Sequence, residues 1–321
     1  MKKEDLRIVF MGTPEFAVET LRALVENAYN VVAVVTQPDK PVGRHGSVLQ
    51  PSAVKQYAVE HGLPVLQPEK MKDPEFVEQL RSYQANLQVV VAFRMLPEEV
   101  WRMPKLGSFN LHAALLPQYR GAAPINWAVI NGERMTGATT FMIDKDIDTG
   151  GIILRHGLRI GPEDTAGDVH DRLMALGAKL VVETTEGIIQ HNVETRVQKS
   201  FIQGSEVLKP APKLTKENTR IDWSAPAETI RNLVRGLNPY PSAWTTLVRD
   251  GKATDVKVFA TAVAEPATAV AGTVRTDGSK LFVAAGDKWL EVKELQLAGK
   301  KRMSADAFLR GFREIESYKF V

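Results

Sequence analysis

The chain reads as an α/β protein with a doubly wound, mostly parallel sheet, followed by a small β-barrel at its C-terminal end. Two patterns predict this. Through residue 190, apolar runs such as Ile8-Val-Phe-Met11, Val31-Val-Ala-Val-Val35 and Leu87-Gln-Val-Val-Val-Ala92 alternate with stretches of helical period. From residue 214 onward, short runs of β-formers are separated by turn signals. Between them, residues 191–213, with Lys209-Pro-Ala-Pro-Lys213, read as a linker, so the expected domains are 1–190 and 214–321.

The elements follow in order. Leu6 to Gly12 is a buried strand ending in glycine. Thr13 is the expected N-cap of the next helix, with Pro14 at its first position. Phe16, Ala17, Leu21, Leu24 and Val25 give that helix an apolar stripe. Val31 to Val35 is the second strand. Residues 36–47 form a long loop punctuated by Pro and Gly and carrying Lys40, Arg44 and His45; unstructured loops of this length are functional or disordered. Ser52 to His61 reads as a helix, Pro64 to Leu66 as a short strand, and Pro74 to Leu80 as a further helix. Leu87 to Ala92 is apolar almost throughout, which suits a central strand. Trp127 to Ile130 is expected as a helix packed on the sheet, and Asp164-Thr165 opens a helix running toward Ile189. Beyond the linker, strands are expected at 243–248, 255–263, 272–275, 281–284 and 289–295, with hairpin turns at Asp250-Gly251 and Asp277-Gly278.

Composition narrows the function. The 321 residues are 44% hydrophobic and 25% charged, ordinary for a globular protein. There is no cysteine, which excludes disulfides, thiolate metal sites and a cysteine nucleophile. No Gly-x-Gly-x-x-Gly and no Walker lysine motif occurs, so NAD or another dinucleotide is not expected. The apolar run near the N-terminus is too short for a signal sequence, and no stretch has the length of a membrane span. A cytoplasmic protein without a membrane partner is the expectation. Net charge is +3 but uneven: −2 over residues 1–204 and +5 from Ser205 onward, a distribution suited to a polyanionic partner.

The chemistry centres on Phe109-Asn-Leu-His112. Side chains alternate along a strand, so Phe109 and Leu111 face one way and Asn110 and His112 the other. Pro117 stops the strand, and Gly121, Ala122 and Ala123 are small enough to let another group approach the backbone. A second polar stretch, Asp144-Lys-Asp146-Ile-Asp148-Thr-Gly150-Gly151, follows another strand. It does not fit a calcium loop, because Thr149 stands where glycine is needed and Arg155 where glutamate is needed, so no metal is expected. An aspartate from this loop beside His112 would hold the ring's tautomer and favour its charged form. Amide, imidazole and carboxylate, with no serine or cysteine nucleophile, suit direct attack of an amine on a carbonyl, with the amide and ring stabilising the oxyanion.

Asn110-x-His112, Leu115-Leu-Pro117, Arg120-Gly-Ala-Ala-Pro124 and Asp148-Thr-Gly150 together resemble the folate-dependent formyltransferases, and the resemblance runs along nearly the whole chain. It implies a formyl donor, 10-formyltetrahydrofolate, and picks Asp148 from the three aspartates as the partner of Asn110 and His112. It implies that the backbone of Ala114, Leu115, Leu116 and Pro117 lines the folate pocket and that Phe93 to Pro97 helps wall the pterin. The flanks, including Lys213-Leu-Thr-Lys216 and Asn238-Pro-Tyr-Pro241, resemble the branch acting on methionine carried by initiator tRNA. That branch implies an OB-like C-terminal barrel, tRNA contacts from Lys40 and Arg44 in the long loop, and phosphate contacts from Lys300, Lys301 and Arg302 in the basic turn. Relatives acting on glycinamide ribonucleotide or an amino sugar are the nearest alternatives; the C-terminal barrel and the Arg120-to-Ile125 run favour the tRNA branch. A noncatalytic RNA-binding protein on the same scaffold is the other alternative, opposed by the intact Asn110, His112 and Asp148.

Overall fold

Ile8, Val9, Phe10 and Met11 have no exposed surface, and the strand they form lies inside a sheet flanked by other apolar strands. A computed structural model describes residues 1–42 and 48–321 and resolves the chain into two units. The first contains Met1–Gly121, Thr136–Leu158 and His170–Pro210; the second contains Ala122–Met135, Arg159–Val169 and Ala211–Val321.

The first unit begins with β1 (Arg7–Gly12), α1 (Glu15–Glu26) and β2 (Asn30–Val35). β3 (Lys40–Val42) and β4 (Val48–Gln50) pair antiparallel, so the long loop expected from the sequence has strand-paired ends. Arg44 and His45 lie outside the described residues. Then come α2 (Ala53–Glu60), β5 (Val65–Leu66), α3 (Pro74–Ser82), β6 (Leu87–Val91), α4 (Glu98–Trp101) and β7 (Ser108–His112). After α5 (Pro124–Ile130) of the second unit come β8 (Met135–Met142), β9 (Ile152–Arg159) and α6 (Ala166–Ile189).

Among the described residues, seven strands make this sheet in the order β5-β2-β1-β6-β7-β8-β9. β5, β2, β1, β6 and β7 run parallel to their neighbours, and β8 returns antiparallel to β7. β6 is central, as its unbroken apolar character requires. Gly177 in α6 faces Leu111 of β7: a Cβ there would lie 2.7 Å from Leu111 Cδ2, closer than carbon atoms pack. The absent side chain thus lets the helix back directly onto the strand that carries Asn110 and His112.

One local expectation is corrected. α1 starts one residue late, with Pro14 at the N-cap position. Thr13 does not cap it; its carbonyl instead accepts the Val54 N–H of α2 at 3.5 Å. α5 packs on α7 (Ala227–Gly236) in the second unit, where Asn126 donates to the Gly236 carbonyl at 2.8 Å and Ile130 fits against the bare Gly236 Cα.

The rest of the second unit is antiparallel: β10 (Ala243–Arg249), β11 (Lys252–Pro266), β12 (Val274–Asp277), β13 (Lys280–Ala284), β14 (Lys288–Leu297) and β15 (Met303–Ser304), then α8 (Ala305–Gly311) and β16 (Lys319–Phe320). The sheet runs β12-β13-β14-β11-β10-β16, and a bridge between Thr273 and Lys319 links its two ends. The five expected strands are all present as the core of this barrel-like sheet. Its interior is filled by Val256, Leu281, Leu290, Phe308 and Phe320, with Trp223 donating its indole N–H to Thr245 at 2.9 Å. α7 is not among the expected elements, although Ala227, Ile230 and Val234 repeat at helical spacing and are buried.

Ile230 is 1% exposed in that core. Ile230→Ala should lower stability by about 2–5 kcal/mol, the usual range for such a truncation. Urea denaturation followed by circular dichroism is the check. A loss below about 0.5 kcal/mol would mean that α7 is not part of the cooperative core.

Candidate active site

The site is assembled at the carboxyl ends of β6 and β7, where open α/β sheets hold ligands. Register puts Asn110 beside Val90 of β6 and Phe141 of β8, and His112 beside Thr139 of β8. Asn110 is half-buried, and its side-chain amide has no hydrogen-bond partner among the described residues. His112 is only 6% exposed.

His112 Nε2 lies 2.8 Å from the Tyr119 carbonyl oxygen. A carbonyl can only accept, so this nitrogen carries a proton and donates it. The other ring nitrogen, Nδ1, faces Asp148 Oδ2 at 3.7 Å. The imidazole is therefore fixed between a carbonyl and a carboxylate.

Both acceptors are held by the backbone. Tyr119 adopts a left-handed conformation (φ 59°), and its N–H donates to the Lys209 carbonyl at 2.7 Å. Asp148 is left-handed too (φ 56°), and its Oδ2 accepts the Gly121 N–H at 3.0 Å. Gln198, buried, donates from Nε2 to the carbonyls of Asp148 (2.8 Å) and Gly150 (2.9 Å). Its Oε1 accepts from Arg120 Nε and Nη2 at 3.1 and 2.6 Å. One amide thus clamps the aspartate loop and, through Arg120, the loop after β7. Gly150 admits no side chain, since a Cβ would stand 1.7 Å from the Met142 carbonyl oxygen.

The formyl transferase family model matches residues 6–185, and that of the formyl transferase C-terminal domain matches 213–313. The chain belongs to the formyltransferase family. This formyltransferase is similar along its length to proteins named methionyl-tRNA formyltransferase. Identity is 58% with that of Parabacteroides distasonis, covering 99% of both chains, and 48% with that of Flavobacterium johnsoniae, covering 96% of both. The fold is shared with an N-formyltransferase of Helicobacter canadensis solved with folinic acid and dTDP-3-aminofucose (TM-score 0.64, 20% identity, 91% of this chain and 99% of that one). It is shared also with HypX of Aquifex aeolicus solved with tetrahydrofolic acid (TM-score 0.64, 16% identity, 96% of this chain and 47% of that one).

The structure brings Asn110, His112 and Asp148 of this formyltransferase together at one strand end. The stretch expected to line the folate pocket, Ala114 to Pro117, follows β7 directly. Ala114 and Leu116 are buried, the Ala114 carbonyl and Leu116 N–H are both engaged by the Thr139 hydroxyl (2.6 and 3.1 Å), and the Leu115 carbonyl accepts the Gln118 N–H at 3.1 Å. These three backbone groups shape the loop. Leu116 is also the apolar anchor of the loop, packed with Phe141, Ile152 and Phe201. At the end of β6, Arg94 is tied to the carbonyls of Glu69 (2.8 Å) and Pro68, and its burial lowers its pKa.

Asp144 holds the loop's own shape, accepting the Thr149 hydroxyl at 2.7 Å and the Asp146 N–H at 3.2 Å. Among the proposed tRNA contacts, Lys40, Lys300 and Lys301 are exposed with no ion-pair partner among the described residues. Arg302 differs. It makes a two-pronged pair with Glu294 at 2.7 and 2.5 Å and covers the Phe259 ring at 4.1 Å. One edge of its guanidinium is thus taken by Glu294.

Gly150→Ala should displace the aspartate loop, because the methyl group cannot coexist with the Met142 carbonyl. We expect a loss of at least roughly a hundredfold in formyl transfer, the scale of one lost electrostatic group, and a lower Tm. Wild-type activity in a folded variant would show that the loop can re-form around a side chain.

Proposed function

We infer that this formyltransferase moves a formyl group from 10-formyltetrahydrofolate to the α-amine of methionine carried on initiator tRNA. The unpartnered amide of Asn110 beside the His112–Asp148 pair carries the reading of the chemistry. Similarity over 99% of the chain to methionyl-tRNA formyltransferases supports the acceptor.

When bound, the donor supplies the formyl carbon. Asn110 has an N–H free to meet the oxygen of that carbonyl as negative charge develops on it, the arrangement of an oxyanion hole. The strand-end pattern suggests the same role for His112, but its Nε2 proton is directed at Tyr119. Its Nδ1 and Asp148 form the acid–base pair that takes the proton from the attacking amine and delivers it toward the leaving nitrogen. The 3.7 Å gap is wider than a hydrogen bond, and catalytic pairs commonly tighten when substrate arrives. The backbone of Ala114 to Pro117 lines the folate pocket, and Phe93 to Leu96 help to wall the pterin. Lys40 and Arg44 serve as tRNA contacts from the long loop, and Lys300 and Lys301 as contacts for tRNA phosphates.

The defining experiment mixes the protein with 10-formyltetrahydrofolate and methionyl-tRNA and measures formylmethionine. No product with methionyl-tRNA, alongside product with an amino sugar nucleotide, would move the chain to another branch. Asn110→Ala, His112→Ala and Asp148→Ala should each slow transfer by at least about a hundredfold while folding is retained. Near-normal turnover in any folded variant would remove that residue from the mechanism.

The basic turn separates two kinds of cation. Lys300→Ala with Lys301→Ala should weaken tRNA binding and lower the slope of log Kd against log salt by roughly 1.4–1.8, two contacts' worth. Arg302→Ala should leave that slope unchanged. An unchanged slope in the double variant would exclude the turn from the tRNA surface.

A further inference from the structure

A second cationic feature lies in the first unit, away from the residues already assigned. Arg155 of β9 and Arg196 both cover the ring of Phe201, their guanidinium carbons 4.6 and 4.5 Å from its centroid. Neither makes an ion pair among the described residues. Arg155 Nε is buried and lacks a hydrogen-bond partner, and burial together with the neighbouring Arg196 lowers the Arg155 pKa. Glu206 acts on Arg155 from a distance, but it is exposed and its oxygens accept from Gln118 (2.7 Å) and the Gln203 N–H (3.3 Å).

Two like charges gathered on one ring repel each other, and a half-buried guanidinium with an idle N–H is costly. Aromatic contact offsets part of this, by about 0.5–2 kcal/mol per cation. An anion shared by the two guanidinium groups would offset their mutual repulsion. Planar guanidinium groups match phosphate oxygens in geometry as well as charge.

The platform is coupled to the active site. Phe201 packs with Leu116 of the loop after β7 and with Ile152 at the start of β9. Arg196 pairs backbone to backbone with Ile152 through hydrogen bonds of 2.8 and 2.9 Å, and Gln198, two residues on, clamps Asp148. Arg155 stands three residues beyond Ile152, roughly 10 Å along the strand. The segment from Arg196 to Phe201 therefore ties the platform to the loop that carries Asp148.

We propose that Arg155 and Arg196, held on Phe201, form a phosphate-binding platform for the acceptor arm of the tRNA substrate. The proposal rests on the acceptor inferred above. It concerns binding and orientation; no bond is made or broken there.

The test uses the full chain with Arg155→Gln and Arg196→Gln together. Kd is measured for methionyl-tRNA and for a methionyl minihelix carrying the acceptor stem alone, across a salt series, with KM for the folate donor in parallel. Expected are at least about tenfold weaker binding of both RNAs and a salt slope lower by roughly 1.4–1.8, with donor KM and Tm close to wild type. Arg196 is exposed, so the single Arg196→Gln variant should fold in any event and show about half the change in slope. Unchanged Kd and slope in an active background would overturn the platform and leave the functional reading intact. A defect with whole tRNA but not with the minihelix would also overturn it, because the contact would lie outside the acceptor arm. So would a raised donor KM with unchanged RNA binding, which would assign the arginines to the donor's carboxylates. If the wild-type protein forms no formylmethionyl-tRNA, the acceptor reading fails and this proposal falls with it.

Discussion

The site depends on a single backbone donor, the Gly121 N–H, meeting the Asp148 carboxylate at 3.0 Å. Charge-assisted hydrogen bonds of this kind are among the stronger ones. This one spans two loops that leave different strands. It sets where the carboxylate stands relative to His112, whose own position is set by β7 and the Tyr119 carbonyl. Asp148 reaches that place only by adopting a left-handed backbone, which is unfavourable for a residue with a side chain. The cost is tolerated because Gln198 takes two carbonyls of the loop, and leaving such groups unpaired would cost about 1–3 kcal/mol each.

Much of this was legible in the chain. Period-two alternation put Asn110 and His112 on one face, and the buried strands announced themselves as apolar runs. Asp148 was separable from Asp144 and Asp146 by its Asp-Thr-Gly register, and Asp144 serves the same loop in a different way, as the acceptor for Thr149. Gln198 was not legible. It lies fifty residues from Asp148 and acts on carbonyls, which carry no residue identity. The helical period of α7 was present in Ala227, Ile230 and Val234, but the surrounding turn signals pointed toward strands. The packing of α5 on α7 depends on Gly236, a glycine whose role emerges only once the two helices meet.

Charge proved less readable than pattern. A surplus of +5 from Ser205 onward suggested a polyanion-binding surface. In the folded unit many of these cations are already matched: Arg249 with Glu314, Arg275 with Glu265, Arg302 with Glu294 and Arg310 with Asp306. Surface pairs of this kind add little stability, commonly under about 1 kcal/mol, but they remove donors from the pool open to a ligand. Lys300 and Lys301 are left in that pool. In the first unit, whose sequence is close to neutral, Arg155 and Arg196 are left as well. Net charge by segment and available charge by site are therefore different quantities.

The second unit takes in Ala122–Met135, a piece of chain made well before most of its partners. α5 leaves the ribosome roughly a hundred residues ahead of α7, a wait of about 5–20 s at ordinary rates of synthesis. Through that interval Ile130 has no Gly236 to pack against and Asn126 has no carbonyl to meet. The nascent chain thus carries an unsatisfied helix while the sheet of the first unit is still incomplete, because β8 and β9 follow α5. A chaperone that shields apolar segments during synthesis would find its binding site there.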